Sequence, residues 1–443
     1  MQENRYRPFT LHNYKELPQI SNLSPQDIEA IDVVGRVLPF KANNYVVNEL
    51  IDWNNIPNDP IFTLTFPRKE MLSASHYNQV LKIMDMDRND PIYKKKINDI
   101  RLKLNPNPAG QEENVPSLKG SKLTGMQHKY RETVLFFPSQ GQTCHAYCTF
   151  CFRWPQFSGM DEYKFAMREA DLLHKYLRKN KKVTDVLFTG GDPLTATSRI
   201  LSAYIEPLLT EEFSHIRTIR IGSKSLAYWP YRFLTDKDAD NLIELFEKVT
   251  QAGKNIAFQA HFNHPKELST VAVKKAIERI LNTGAQIRTQ SPLLRKINNH
   301  PDIWADMWTK QVDLGCIPYY MFVARDTGSK AFFEVPLEKT WDIFRKAYSQ
   351  ISGIARTVRG PSMSAHPGKV QVLGVSEIKG EKVFVLQFIQ CRNPKLVNIP
   401  FFAKYNPKAT WLDQLEPAFG ETEFFYEKDN LIGTKVENDV LWE

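Results

Sequence analysis

From about residue 130 onward, short apolar runs alternate with longer stretches whose apolar positions recur every three or four residues. The runs at 134–137, 183–189, 216–221, 255–262, 285–291 and 317–323 read as strands. The stretches between them, at 161–178, 198–209, 236–252, 267–282 and 302–314, read as amphipathic helices. Strands separated by helices predict parallel βα units, because a parallel return needs a crossover longer than a hairpin. Six units fall short of the eight that close a barrel, so the pattern predicts an α/β fold built on a partial (β/α)6 barrel. In such folds the chemistry gathers at the C-terminal ends of the strands.

The flanks have a different texture. Residues 1–125 read as a helical and irregular extension. Ser24-Pro25-Gln26-Asp27 is a helix start, with Ser24 as cap and Pro25 at the first position, and the helix runs through 28–37. A second, polar helix is expected over 91–104, the proline-bearing stretch 53–67 reads as extended, and 105–122 reads as a linker. Beyond 352 the alternation stops. Residues 359–369 read as turn-rich, strands are expected at 370–375 and 383–390, and the aromatic tail is expected to pack on the barrel or on a second copy. The expected division is thus 1–125, 126–352 and 353–443.

Composition narrows the class. A chain of 443 residues with 42% hydrophobic and 24% charged residues is ordinary for a globular protein. The net charge of +8 comes from Lys and Arg scattered along the chain, with brief clusters at 94–96 and 179–182. That pattern suits a solvated surface or anionic small ligands better than nucleic acid. Five cysteines, three of them bunched, make no disulfide framework and point to a reducing compartment. The first residues lack the apolar core of a signal peptide, and no run approaches 18 apolar residues. A cytoplasmic protein with no membrane partner is expected.

The bunched cysteines are Cys144, Cys148 and Cys151, a CxxxCxxC loop just after the first predicted strand. Three thiolates on so short a loop suit a cuboidal iron–sulfur cluster, which leaves its fourth iron to a ligand that is not protein. A zinc loop would want a second CxxC half or a histidine pair, and neither accompanies it. Chance clustering of buried thiols is the remaining alternative. Gly190-Gly191-Asp192 follows the second strand directly, where two glycines allow a tight turn with backbone open to a ligand.

The cysteine spacing together with that turn resembles the radical S-adenosylmethionine (SAM) enzymes. The resemblance implies a [4Fe-4S] cluster on the three cysteines, SAM on the open iron, and its amino group held at Gly190, Gly191 and Asp192. Further stretches resemble the lysine 2,3-aminomutase family in order: LTGMQHKYRETVLFFPSQGQTCHAYCTFC, FTGGDPL, IRIGSKS, AHFNHPKEL, TQSPLLRKIN and PYYMFV, spanning about 123–324. This implies a radical SAM partial barrel that also uses pyridoxal 5′-phosphate (PLP) and moves an amino group between the α- and β-carbons of a small amino acid. It further implies an electron donor of the flavodoxin or ferredoxin kind and allows a homo-oligomer.

By the same resemblance Lys369 is the lysine that holds PLP, although the glycine-rich run before it is shortened here to Pro367-Gly368. Arg153, two residues after the last cysteine, falls where the family holds the substrate's α-carboxylate, a role that suits a guanidinium fork. Lysine-specific members hold the distal ammonium with two aspartates. Here Arg325 aligns with the first, Asp326 is one residue away, and Ser362, Met363 and Ser364 stand near the second. A cation at that point repels an ammonium and attracts a carboxylate, and glutamate 2,3-aminomutases are similar in using one. A non-lysine, glutamate-like substrate is therefore expected. The alternative is a radical SAM enzyme without PLP that acts on a protein lysyl group, RNA or another large substrate. His261 and His264 fall near the family's cofactors. Cys316 and Cys391 are isolated and read as buried, and the family's C-terminal zinc ligands are missing, so no zinc is expected.

Overall fold

The computed structural model describes residues 5–105, 114–160 and 164–428. Its centre is an eleven-stranded sheet whose spatial order is the chain order. The strands are β1 (Met126–Tyr130), β2 (Thr133–Phe136), β3 (Asp185–Phe188), β4 (Thr218–Ser223), β5 (Asn255–His261), β6 (Gln286–Leu293), β7 (Ile317–Val323), β8 (Arg359–Ser364), β9 (Gly368–Ile378), β10 (Glu381–Cys391) and β11 (Pro400–Lys404). Strands β2 to β8 are parallel, while β1 at one edge and β9 to β11 at the other are antiparallel. Successive parallel strands are joined through helices α1 (Ala170–Lys179), α2 (Ser198–Ile205), α3 (Ala239–Gln251), α4 (Val271–Leu281), α5 (Pro301–Asp313) and α6 (Leu337–Ser349).

The two faces of the sheet differ. In β4 the side chains of Ile219, Ile221 and Ser223 are buried, while Thr218 and Arg220 are half-buried on the opposite face. Residues on that second face, among them Leu135, Leu187, Arg220, Gln259, Gln290 and Tyr320, line one cavity of about 1640 Å3. The sheet curls around it. Lys129 on β1 donates from Nζ to the Ala365 carbonyl at 2.6 Å, tying one antiparallel edge to the β8–β9 connection across the cavity.

The six strands expected from the apolar alternation are all present, and α1 to α5 lie within or beside the stretches read as helical. Three segments differ from expectation. The turn-rich stretch is a seventh parallel strand, β8, paired with β7 on one side and β9 on the other. Its Gly360 and Pro361 hide it, since both are poor strand formers. Here glycine is required by close approach, as a Cβ at Gly360 would sit 2.5 Å from the Met321 carbonyl oxygen. The stretch at 53–67 is not extended but holds a helix at Pro60–Thr65, capped by the Asp59 side chain, which accepts from Phe62 N. The helix expected from 161 begins only at Ala170, and residues 161–163 lie outside the described residues. Buried Phe165 and Met167 alternate with more exposed neighbours there, the period of extended chain, and Met167 bridges to Pro138.

In the lead-in, the Pro25–Val37 helix is capped as expected by Ser24 Oγ, which accepts from Asp27 N at 3.1 Å. The polar helix spans Pro91–Lys103. Part of the expected linker, 106–113, lies outside the described residues. The tail folds back over the β7 and β9–β11 end of the sheet, where Phe401, Trp411, Leu415, Phe424 and Tyr426 join a second apolar cluster. No helix among the described residues is long and apolar enough to cross a membrane.

The Gly360 contact gives a direct test of the seventh strand. Gly360→Ala must separate β7 from β8 and is expected to cost about 1–3 kcal/mol of stability in denaturant unfolding. Gly353→Ala, where a Cβ meets nothing within 4 Å, is expected to leave stability nearly unchanged.

Candidate active site

The cysteine loop leaves the C-terminal end of β2 and is gripped from outside by the lead-in. Tyr147 N donates to the Lys41 carbonyl at 2.7 Å and Thr149 N to the Leu64 carbonyl at 2.9 Å. Buried Asn43 donates from Nδ2 to the His145 carbonyl (3.1 Å) and to the Tyr228 carbonyl (2.9 Å). Lys41 Nζ donates to the Cys144 carbonyl at 2.8 Å. Cys144, Cys148 and Cys151 are all free thiols and all line the cavity.

Burial pushes all three thiols up: Cys144 well above its ordinary value, Cys148 to about 12 and Cys151 to about 11. Each has a cation opposing that rise, Lys41 for Cys144, Lys224 for Cys148 and Arg153 for Cys151. Iron loading would displace the thiol protons, and three cations stand ready to offset the resulting negative charge. Among the described residues no three His, Cys, Asp or Glu side chains are gathered tightly enough to hold a single metal ion. A cuboidal cluster takes its thiolates at separate corners, so a wider thiol spacing suits it.

The glycine turn after β3 packs directly on that loop. A Cβ at Gly191 would sit 2.5 Å from the Thr143 carbonyl oxygen and 2.6 Å from its nitrogen, and Gly190 has φ of +153°. Both glycines line the cavity; Asp192 does not. The Asp192 carboxylate is buried and already has four protein donors. Leu194 N gives to Oδ1 (3.0 Å), while Ser223 Oγ (2.8 Å), Lys224 N (2.9 Å) and Ser225 Oγ (3.0 Å) give to Oδ2. These donors hold the Asp192 carboxylate inside the fold, and the glycine backbone faces the cavity.

Lys369 opens β9 on the other side of the cavity. Its Nζ donates to Gln390 Oε1 at 2.9 Å and lies 4.1 Å from the centre of the Tyr320 ring. Burial depresses its pKa well below the usual lysine value, and Arg220, Arg359 and Lys129 depress it further. Those surroundings favour a neutral, nucleophilic amine in a field that attracts anions.

Arg153, just after the cysteine loop, and Arg325, at the end of β7, both line the cavity. Arg153 Nη1 and Arg325 Nε are buried without hydrogen-bond partners. Arg325 Nη1 donates to the Ser364 carbonyl at 3.0 Å, and its Nε is 3.9 Å from Asp326 Oδ1. Asp326 lines the cavity too. The two histidines part company. His264 caps the Pro265–Leu268 turn, its Nδ1 accepting from Lys266 N, whereas His261 faces the cavity with Nε2 unpartnered. Cys316 and Cys391 are buried away from the cavity. Lys41 and Lys224 were not singled out by the sequence. The Ser-Lys-Ser at the end of β4 was a usable signal for Lys224, but nothing local to Lys41 marks it.

A three-cysteine loop after the first parallel strand, against a glycine turn after the second and at the mouth of one cavity, defines a radical SAM enzyme. No family model matches the chain. It is 31% identical over 399 residues to a protein of Aquifex aeolicus (strain VF5) named "Putative L-lysine 2,3-aminomutase", covering 90% of this chain and 93% of that one. It is 28% identical over 267 residues to the L-lysine 2,3-aminomutase of Clostridium subterminale, 60% of each chain. It is 28% identical over 214 residues to the glutamate 2,3-aminomutase of Clostridioides difficile (strain 630), covering 48% of this chain and 47% of that one. The chain belongs to the lysine 2,3-aminomutase family, and is an enzyme of the isomerase class.

Two outcomes follow from this geometry. Gly191→Ala drives a methyl into the Thr143 backbone and is expected to cut the iron bound after anaerobic reconstitution at least severalfold, read by iron analysis. Lys369 is the pH-dependent group. Its folded pKa lies below the unfolded one, so the unfolded chain binds the extra proton as the pH falls from about 10. The wild type is expected to lose stability relative to Lys369→Met between high and neutral pH, measured by denaturant unfolding across that range.

Proposed function

We propose that this chain is a SAM- and PLP-dependent 2,3-aminomutase of an acidic amino acid, with glutamate as the model substrate. The observation that carries the acidic substrate is the charge of the cavity. Eight of its lining side chains are Lys or Arg and three are Asp or Glu, and two of the arginines present buried N–H groups with no acceptor. Unsatisfied buried donors on a cation are costly, and a carboxylate is the group that relieves them.

In this reading Cys144, Cys148 and Cys151 hold a [4Fe-4S] cluster and the Gly190–Gly191 backbone receives SAM. Asp192 keeps that turn against the cysteine loop. Lys369, kept neutral by its surroundings, would hold PLP, and Lys129, Arg220 and Arg359 would supply a field suited to the cofactor's phosphate. When bound, these groups supply an adenosyl radical and a ring that spreads the unpaired electron while nitrogen migrates. The protein residues orient and enclose. Arg153 fixes the α-carboxylate, Arg325 takes the side-chain carboxylate, and unpartnered His261 Nε2 offers a polar contact within the cavity. A flavodoxin- or ferredoxin-like protein would deliver the electron. The curled sheet serves as the partial barrel, with 1–125 as its outer clasp, 126–352 as the radical-generating part and 353–443 as the PLP-bearing part.

A second reading rests on Asp326. It also lines the cavity, and were it to face the substrate in place of Arg325, free lysine would fit, as the names of several relatives suggest.

Anaerobically reconstituted protein with dithionite, SAM, PLP and a panel of amino acids separates these. The expected result is 5′-deoxyadenosine together with the β-amino isomer of glutamate, and loss of most glutamate turnover in Arg325→Met. Faster turnover of L-lysine than of L-glutamate overturns the acidic reading in favour of Asp326. SAM cleavage with no isomer from any free amino acid moves the substrate to something larger.

A further inference from the structure

The two unsatisfied arginines do not stand alone but alternate with aromatic rings. Arg153 Cζ lies 4.3 Å from the centre of the Phe137 ring and 5.3 Å from that of Phe152. Arg325 Cζ lies 5.3 Å from the same Phe152 ring and 5.6 Å from Trp411. The series therefore runs Phe137, Arg153, Phe152, Arg325, Trp411, and it joins the end of β2, the cysteine loop, the end of β7 and the C-terminal tail. Phe152 is exposed and lines the cavity, as do both arginines and Trp411.

The arrangement has a physical logic. A guanidinium carries its attraction for a π system on its two faces and all of its N–H donors on its edge. Rings packed near the faces hold the group's orientation and leave the edge for an in-plane carboxylate. The two cations also repel one another, since both stand 5.3 Å from the centre of the one Phe152 ring. One carboxylate relieves one of them, whereas two carboxylates on one molecule relieve both. The shared Phe152 ring sets the distance between the two seats, and Trp411 completes the outer one. Trp411 is itself fixed by its neighbours: Leu337 N donates to the Ala409 carbonyl at 2.8 Å, and Thr410 Oγ1 to Glu334 Oε2 at 3.1 Å.

We propose that Phe152 and Trp411 are positioning residues that hold Arg153 and Arg325 edge-on as a paired seat for the two carboxylates of a dicarboxylic amino acid, which makes the C-terminal tail part of the substrate site. This rests on the acidic-substrate reading above and adds the residues that set its selectivity.

The test uses full-length, anaerobically reconstituted enzyme and two inert probes, glutarate and butyrate, with binding measured by calorimetry. Glutarate is expected to bind more tightly than butyrate. Trp411→Leu is expected to weaken glutarate roughly tenfold while Trp411→Phe, which keeps a ring, stays within about twofold of wild type. Butyrate is expected to change by less than about twofold in either variant. In turnover, Trp411→Leu should raise the KM for glutamate with little change in kcat. Phe152→Leu supplies an independent arm if Trp411→Leu loosens the tail, and is expected to weaken glutarate more than butyrate. Equal binding of the two probes, or glutarate binding indifferent to both Trp411→Leu and Phe152→Leu, overturns the proposal. Glutarate binding requires no turnover. A protein that binds glutarate in this manner yet makes no isomer of glutamate overturns the aminomutase reading alone, and one that turns over glutamate but ignores both substitutions overturns only the aromatic stack.

Discussion

The buried carboxylate of Asp192 is the tie on which the site depends. It takes donors from its own turn after β3 and from three successive residues at the end of β4, while its backbone N–H reaches the carbonyls of Gly141 and Thr143 in the loop after β2. Three neighbouring strand ends are thereby locked in one arrangement, and the glycine beside it lets the turn lie flat against the cysteine loop. A buried carboxylate is costly unless its lone pairs are met, and here at least four donors meet them. The cavity receives its shape from this closure.

Charge is the second organising constraint. A cavity cut into the concave face of a parallel sheet would ordinarily be apolar, and this one has a large excess of cations. Lys224 and Arg153 act on the thiols, Lys129 and Arg220 act on Lys369, and Arg325 stands near the tail, while Lys41 and Arg359, outside the lining, reinforce the first two groups. Such an array is strained until anions arrive, which is a sound reason for a radical enzyme to keep its interior closed to everything but its proper ligands.

Much of the fold was legible because six strands have clean apolar runs and their helices have wide apolar faces. The seventh strand was not, because Arg359–Ser364 owes its extension to pairing on both sides and carries a glycine where β7 comes too close for a side chain. The cysteines and glycines of the site were legible because their spacing is local. Asp192 was located by the same local motif, whereas the donors that reach it from β4 are brought in only by the fold. The aromatic stack was hidden for the same reason, as Phe137, Phe152, Arg325 and Trp411 meet only through the curl of the sheet. Lys41 and Asn43 were hidden because a lead-in with no motif of its own supplies backbone and amide contacts to the cysteine loop.

The grip of that lead-in has a consequence in time. Protein chains emerge from the ribosome N-terminus first, so the segment that holds the cysteine loop is made before the loop, and the loop before the glycine turn that seals it. Lys369 and Trp411 are delivered last, on strands and tail that add to one edge of a sheet already begun. The order of synthesis thus matches the order in which the cavity is enclosed, with its cysteine side framed early and its far side left open until the final quarter of the chain is in place.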